Sequence, residues 1–274
     1  MTEYCLQKYG IDEKCVTGDA DPNLAGYGYL HTPEELRFIL ETPRSSSLDL
    51  RLRSDTDFQN LTLTRPRLGV LTPPCEKVYL GGWYNQSKEP TCAPWSVFNA
   101  LMVLGIRPDL DGAAQFLNSS LTLGKLGDGG AGSNRVEIEQ YLDEYHKDQV
   151  SINYLSLSGV GRDKVDYITK YEEKGVTTSF EKDEFLEKTV RVFQKEAETI
   201  TKLFNSGYVF IRAVNTKHYS GQNDGGHAIC LSGYKVDEEG RVDIQVIDSA
   251  RGVIWISLEH LLQTSGETLL IGKL

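Results

Sequence analysis

The order of helical and strand-like segments along the 274-residue chain predicts an α+β fold. Between residues 92 and 145, apolar side chains recur at the three- and four-residue intervals of amphipathic helices. After residue 208, short apolar segments follow one another closely, which is typical of an antiparallel sheet. We therefore expect a helical part that packs on a mainly antiparallel sheet.

Residues 1–75 are predicted to form an N-terminal extension or small subdomain ahead of a larger domain over residues 76–274. Thr32-Pro-Glu-Glu35 has the pattern of a capping box with proline at the first helical position, so a short helix is expected through about Glu41. Leucines then alternate with charged residues at Leu48, Leu50 and Leu52, which indicates a strand with one solvent-facing side.

Three helices are predicted in the first part of the larger domain. The first begins beside Thr91 and ends near Gly105, because glycine favours the turn that ends a helix. The second covers Leu110–Leu117, and the third runs from a capping Asn134 to Tyr145.

The remaining segments combine strands with one long helix. Residues 158–182 are polar and contain glycine, so we predict a loop within an insertion around residues 158–200. Apolar residues from Leu186 to Phe204 recur at spacings of three and four, which predicts an amphipathic helix that ends at Gly207. Strands are predicted at Val150–Leu157, Tyr208–Val214, His227–Tyr234, Val242–Asp248 and Val253–Ile256, with a loop over Asn215–Asp224 and a short helix over Ser257–Gln263.

The composition, with 39% hydrophobic and 25% charged residues, is that of an ordinary globular protein. A net charge of −10 argues against nucleic acid or an anionic membrane as a partner, because both favour clustered lysine and arginine. The sequence has no apolar run of the roughly 20 residues that span a bilayer. It also lacks a basic segment followed by an apolar stretch at its start. We therefore expect a cytoplasmic protein without a membrane span, and delivery by a specialised route stays open as an alternative.

The cysteines predict free thiols. Their number, five, is odd, and they are scattered without close pairs, which is a poor basis for a disulfide framework. No Cys-x-x-Cys or His-x-x-x-His pair occurs, so neither a metal site nor a cofactor is predicted. The cysteines are Cys5, Cys15, Cys75, Cys92 and Cys230.

The candidate catalytic residues are Cys92, His227, Asp248 and Gln86. Cys92 stands at the start of a predicted helix, where backbone N–H groups and the helix dipole lower the pKa of a thiol. His227 opens a strand and is expected to take and return a proton, while Asp248 ends the next strand and is expected to orient the imidazole. The side-chain amide of Gln86 and the backbone N–H of Cys92 are the expected donors to an oxyanion.

These segments, in this order, resemble the papain-like cysteine peptidases, and most of all the compact bacterial branch related to the double-glycine leader peptidases of bacteriocin exporters. The similarity covers about residues 80–262. Ala93 follows the cysteine here, whereas that branch usually has glycine. The resemblance rests on Cys92-Ala-Pro-Trp-Ser, a glycine loop over 127–132 before a helix, Asn205-Ser-Gly-Tyr-Val before a strand, Gly226-His227-Ala-Ile-Cys-Leu-Ser-Gly-Tyr234, and Val246-Ile-Asp248-Ser.

The resemblance implies a papain-like fold, in which a helical part carries the cysteine and the sheet carries the histidine and the aspartate. It implies Cys92 as nucleophile, His227 as base, Asp248 as orienter and Gln86 as oxyanion donor, with a peptide or protein as substrate. The leading hypothesis is a cysteine peptidase that hydrolyses a peptide or isopeptide bond through a thioester.

Other functions and roles stay open at this point. The same thioester serves acyl transfer or glutamine deamidation when another acceptor resolves it, and a non-catalytic papain-like binding module is a further alternative. His218 is a rival base in a polar loop, Asp248 can instead cap the turn after its strand, and Gln86 can be a surface residue. The sequence pattern does not define the oligomeric state. The other histidines, His31, His146 and His260, are predicted at surface or helix-capping positions.

Overall fold

The computed structural model describes residues 31–44, 50–51, 75–86, 91–123, 133, 135–157, 179–221, 225–238, 240–264 and 266–274. Within these ranges the fold is α+β, as the sequence predicts, with helices packed on both faces of one sheet. The helices are α1 (Pro33–Glu41), α2 (Cys92–Val103), α3 (Leu110–Leu123), α4 (Arg135–His146), α5 (Ser179–Asn205), α6 (Thr216–Ser220) and α7 (Leu258–Gln263). The strands are β1 (Leu50–Arg51), β2 (Cys75–Lys77), β3 (Val150–Leu155), β4 (Val209–Asn215), β5 (Gly226–Val236), β6 (Val242–Asp248), β7 (Gly252–Ser257) and β8 (Thr268–Lys273).

The described strands form one sheet in the order β1-β7-β6-β5-β4-β8-β3, and β2 pairs with β5 outside this path. Neighbouring strands run antiparallel except for β1 and β7, which are parallel. The first half of β5 pairs with β4 and its end pairs with β2, while β6 lies along its other side. This arrangement places β5, the strand that begins beside His227, at the centre of the sheet.

Alternation along the central strands divides the apolar residues between two cores. Val209, Ile211 and Cys230 belong to the core that includes α1 to α4. Phe210 and Ile229 point to the opposite face and belong to the core that includes α5, α6 and α7. Because both faces are covered, apolar residues occur on both sides of these strands. Their polar residues, such as Arg212 and Gln245, are buried as well.

The helix that begins with Cys92 is buried from Ala93 to Leu101, so its polar side chains need partners inside the protein. The hydroxyl of Ser96 donates to the carbonyl of Ala228 on β5 at 2.9 Å. Asn99 accepts from the backbone N–H of Tyr84 at 2.7 Å and donates to the carbonyl of Tyr84 at 3.2 Å. α2 is thereby tied to the start of β5 and to the segment that contains Gln86.

Two of the predicted helix ends are confirmed. The Thr32 hydroxyl caps α1 by accepting from the N–H of Glu35 at 3.2 Å. Gly105 follows α2 with a φ of +71°, the left-handed conformation that glycine tolerates best.

The structure corrects the extent of two helices and adds a third. α3 continues to Leu123 instead of ending at Leu117. α5 begins at Ser179, so residues 179–182 are helical where a loop is predicted; their side chains are mainly polar and give no apolar stripe. α6 occupies part of the loop predicted over residues 215–224, because the Asn215 side chain caps it by accepting from the N–H of Lys217 at 3.0 Å.

The C-terminal strand β8 is absent from the sequence prediction. It pairs with both β4 and β3, and five of its six residues are buried. A short segment buried on both faces lacks the alternation that identifies a strand.

Most of residues 1–75 lie outside the described residues, as do the predicted cap at Asn134, the glycine loop over 127–132 and residues 158–178. Leu36 of α1 is buried in the same core as α2. The domain division at residue 75 and the insertion around 158–200 stay predictions. Among the helices that the structure describes, none combines the length and apolarity needed to cross a bilayer.

Replacement of Asn99 by alanine is expected to destabilise the protein. It removes both hydrogen bonds to the Tyr84 backbone and leaves two buried backbone groups unsatisfied, at a cost of about 2–4 kcal/mol. Urea unfolding followed by circular dichroism measures the loss. The exposed Asn153 on β3 provides the matched control, since Asn153→Ala is expected to cost less than about 0.5 kcal/mol. Equal stabilities of the two variants would contradict this role for Asn99.

Candidate active site

Cys92 is the first residue of α2, so its side chain lies at the positive end of the helix. Thr91 at the N-cap makes no capping hydrogen bond with its side chain, and Pro94 has no backbone N–H. The N–H groups of Ala93 and of Ala228 on β5 donate to the Cys92 sulfur. The thiol therefore receives one backbone donor from the start of the helix and one from β5.

His227 connects the thiol to a carboxylate. Its imidazole hydrogen-bonds to the Cys92 side chain, and its Nε2 lies 3.0 Å from Oδ1 of Asp248. Because Nε2 meets the carboxylate, Nδ1 is the ring nitrogen that can meet the sulfur. Only 9% of the His227 side chain is exposed, so water competes little for these contacts.

The sheet register explains how the imidazole reaches Asp248. Cys230 on β5 lies opposite Ile247 on β6, and continuing this register by one residue places Ile229 opposite Asp248. His227 lies two residues beyond Ile229 on the same face of β5. Such a diagonal neighbour is within reach of a long side chain.

Asp248, the last residue of β6, has a fully buried side chain with four hydrogen-bond donors around it. Oδ1 accepts from His227 and from the N–H of Ala250 at 2.9 Å. Oδ2 accepts from the hydroxyl of Tyr219 at 3.1 Å and from the guanidinium of Arg251 at 2.7 Å. Because a carboxylate has about four acceptor positions, these contacts satisfy it and hold it in one orientation.

The three side chains shift one another's pKa. Burial alone would raise the pKa of Cys92, but the hydrogen bond and charge of His227, with two backbone N–H groups, hold it below its usual value. Burial would lower the pKa of His227, but Asp248 and Cys92 raise it to about 9. Burial would raise the pKa of Asp248, but His227 and Arg251 lower it to about 2. A lowered thiol pKa beside a raised imidazole pKa favours a thiolate–imidazolium pair.

Gln86 is held by Ser249, the residue after Asp248. The N–H of Gln86 donates to the Ser249 carbonyl at 3.0 Å, and the Ser249 hydroxyl donates to Oε1 of Gln86 at 2.5 Å. With its oxygen on Ser249, the Gln86 amide has a defined direction for its NH₂ group. Two adjacent residues of one turn thus hold Gln86 and His227.

The structure therefore brings Cys92, His227 and Asp248 into contact and connects Gln86 to the residue beside them. The imidazole on the thiol is that of His227, whereas His218, the rival base, lies on α6. Asp248 also binds the N–H of Ala250, so the turn-capping role occurs together with the contact to His227.

The remaining histidines are buried, which corrects their predicted surface positions. His31, His146 and His260 are 4%, 2% and 5% exposed. Nε2 of His146 lies 3.0 Å from the hydroxyl of Tyr141, and Nε2 of His260 lies 2.9 Å from the carbonyl of Tyr219. Burial of a histidine depends on such partners, which sequence periodicity does not reveal.

Three residues that contact the predicted site residues, Tyr219, Ser249 and Arg251, are missing from the sequence prediction. A signal existed for Ser249 and Arg251, because both follow Asp248 within three residues, at a strand end where a turn reverses the chain. Tyr219 lies 29 residues before Asp248, and its contact depends on where α6 packs. Among the described residues, no group of three or more His, Cys, Asp or Glu side chains is placed to hold a metal ion.

Comparisons with known proteins leave the family undefined. No protein-family model and no curated protein matches the chain. One of the solved structures that it matches is "Recombinant stem bromelain precursor", at 11% identity and a TM-score of 0.34, over 99% of this chain and 96% of that chain. A likeness at this TM-score does not establish a shared fold, so the resemblance to papain-like peptidases stays a prediction and function is inferred from the contacts within the site.

The two thiols that the structure describes are expected to differ in reactivity. Cys230 is fully buried, and burial raises the pKa of its thiol, whereas the thiol of Cys92 has a lowered pKa. At pH 6.5, iodoacetamide is expected to alkylate Cys92 at least about tenfold faster than Cys230. Mass spectrometry of the digested protein measures both rates, and similar rates would contradict the thiolate at Cys92.

Replacement of Asp248 by asparagine is expected to destabilise the protein most in mildly acidic solution. The His227 pKa rises from 6.5 to about 9 on folding, so the pair's contribution is complete below pH 6.5 and is lost as pH rises through 9. The Asp248 pKa falls from 3.8 to about 2, so its contribution is present above pH 3.8 and is lost as pH falls through 2.

Urea unfolding at pH 5 and pH 10 tests this dependence. The loss of unfolding free energy in Asp248→Asn is expected to be roughly 2–3 kcal/mol larger at pH 5 than at pH 10. An equal loss at both values would mean that Asp248 acts by packing alone.

Proposed function

We propose that the protein is a papain-like cysteine hydrolase that cuts a peptide or isopeptide bond through a thioester on Cys92. The observation that carries the proposal is the continuous hydrogen-bonded chain from the thiol at the start of α2 through His227 to the buried Asp248. A nucleophile, a base and an orienter in hydrogen-bond contact are what covalent catalysis of acyl transfer requires.

In the first step the Cys92 thiolate attacks the carbonyl carbon of the substrate, and the carbonyl electrons move onto the oxygen. When the oxyanion collapses, the C–N bond breaks and the imidazolium of His227 gives its proton to the departing amine. A thioester remains on Cys92. His227, now neutral, takes a proton from water, the hydroxide attacks the thioester, and the acid product leaves with the thiolate restored.

Asp248 has the same role in both steps. Its Oδ1 accepts from Nε2 of His227, which keeps Nδ1 directed at the sulfur and stabilises the imidazolium before the first proton transfer. The proton remains on His227 because the pKa of Asp248 is held near 2 by its cationic partners.

The oxyanion receives hydrogen bonds from the backbone N–H of Cys92 and from the side-chain NH₂ of Gln86 in this proposal. Two features support these donors. Cys92 lies at a helix start, where backbone N–H groups have no carbonyl acceptor within the helix. Ser249 fixes the oxygen end of the Gln86 amide, so the NH₂ group is positioned before substrate arrives.

Four alanine variants test the proposal on a library of synthetic peptides. Cys92→Ala and His227→Ala are expected to abolish cleavage, and Gln86→Ala is expected to lower kcat by about 10²–10³-fold. Cys230→Ala is the matched control, since it removes a buried thiol outside the site and is expected to keep activity. Cleavage by Cys92→Ala would falsify the proposal.

Mass spectrometry of the reaction products identifies the acceptor. Hydrolysis gives two shorter peptides, one of which carries oxygen from labelled water in its new carboxyl group. Products joined to an added amine, or glutamine converted to glutamate without chain cleavage, would replace peptide hydrolysis by acyl transfer or deamidation on the same thioester.

A further inference from the structure

The charges of the proposed site do not balance among its three central side chains. When the catalytic pair forms, Cys92 and Asp248 are negative and His227 is positive, which leaves one net negative charge. The Asp248 side chain is fully buried and that of His227 is 9% exposed. An unbalanced charge in such surroundings is costly, so a cation is expected beside it.

Arg251 places a positive charge at the buried end of this chain of contacts. Its guanidinium lies 2.7 Å from Oδ2 of Asp248, the oxygen that does not bind His227. The backbone N–H of Arg251 donates to the carbonyl of Asp248 at 3.0 Å, so the turn itself brings the guanidinium to the carboxylate. The Arg251 side chain is 23% exposed and extends from the solvent edge to the buried oxygen.

Tyr219 holds both members of this ion pair. Its hydroxyl donates to Oδ2 of Asp248 at 3.1 Å, and the guanidinium carbon of Arg251 lies 5.5 Å from the centre of its ring. Tyr219 is 1% exposed, and its carbonyl is bound by His260 of α7. A second helix therefore holds the backbone of Tyr219 in place.

We propose that Arg251 is a positioning residue of the active site, which acts through Asp248 to balance the charge of the buried site and to fix the plane of the carboxylate. Tyr219 is the second anchor of the same oxygen. The inference rests on the proposed function, since the unbalanced charge exists only when the thiolate–imidazolium pair forms. The site then holds four alternating charges: thiolate, imidazolium, carboxylate and guanidinium.

Loss of the Arg251 charge is expected to shift the pKa of the Cys92 thiol in one direction. The groups around the carboxylate are His227 on β5, with Cys92 beyond it on α2, Tyr219 on α6 and Arg251 on the turn. Loss of a positive charge favours the protonated form of its neighbours, so Arg251→Gln is expected to raise the pKa of the Cys92 thiol. This pKa is expected to rise by roughly 0.5–1 unit. A charge in direct contact shifts a pKa by about 1–3 units, and Arg251 acts from a greater distance.

The test is the pH dependence of Cys92 alkylation by iodoacetamide in the full chain, measured by mass spectrometry. We call the pH at which the alkylation rate is half of its maximum the half-rate pH. It is expected to move upward in Arg251→Gln and to stay close to the wild-type value in Arg251→Lys, which keeps the charge. Arg241→Gln is the matched control, because Arg241 pairs with Asp237 at 3.3 Å on the turn between β5 and β6. Arg241→Gln is expected to cause no shift.

Each outcome supports or overturns the proposal. An unmoved half-rate pH in Arg251→Gln, or an equal shift in Arg251→Lys and Arg251→Gln, overturns the role of the charge. A wild-type half-rate pH at the ordinary thiol pKa instead overturns the thiolate–imidazolium pair, and with it the proposed function.

Slow labelling of Cys230 in the same samples reports that each variant is folded, because this thiol is buried. Should Arg251→Gln not fold, Arg251→Lys and Tyr219→Phe carry the test. Both keep the charge, so their half-rate pH is expected to stay at the wild-type value, while Tyr219→Phe lowers kcat severalfold at unchanged KM. A displaced half-rate pH in both would overturn the proposal.

Discussion

A fully buried carboxylate, that of Asp248, is the group on which the arrangement of the site depends. An ionised carboxylate without water must be satisfied by protein donors, and its four donors come from three separate parts of the chain. The start of β5 contributes an imidazole, α6 contributes a phenol hydroxyl, and the turn after β6 contributes a backbone N–H and a guanidinium. Each part is therefore constrained in position by the same two oxygens.

Cys92 is held by a different kind of constraint. α2 is a mainly apolar helix enclosed by the core, with Cys92 at its first position. Ser96 connects the helix to Ala228, next to His227, and Asn99 connects it to Tyr84, close to Gln86. Ser249 then links Gln86 back to Asp248. These contacts form a closed circuit, so displacement of one functional side chain requires that another hydrogen bond be broken.

The sequence predicts the parts of the site that follow from local rules. A cysteine at a helix start, a histidine at a strand start and an aspartate at the end of the next strand are visible because helix ends and strand ends have recognisable patterns. Tyr219 is not visible, because its role depends on the packing of a five-residue helix against a strand end distant in the chain. β8 is missed because burial on both faces removes the periodicity by which a strand is recognised. The buried histidines are missed because their burial depends on partners such as Tyr141 and the Tyr219 carbonyl, which only the folded chain brings together.

The two cores of the protein explain why the site lies at the start of β5. Cys92 belongs to the helix layer on one face of the sheet, whereas Asp248 and Tyr219 lie with the helices on the other face. A side chain within a strand points to one face only, so an imidazole in the middle of β5 would be separated from the sulfur by the sheet. At the second residue of the strand, the ring can contact the carboxylate on one side and the thiol past the strand end. The residue before it, Gly226, has open space where a Cβ would lie, with no atom of the described residues within 4 Å. Neither contact with the described residues nor a left-handed φ requires glycine there, so in the proposed hydrolase the missing side chain fits a role in leaving space for substrate beside His227.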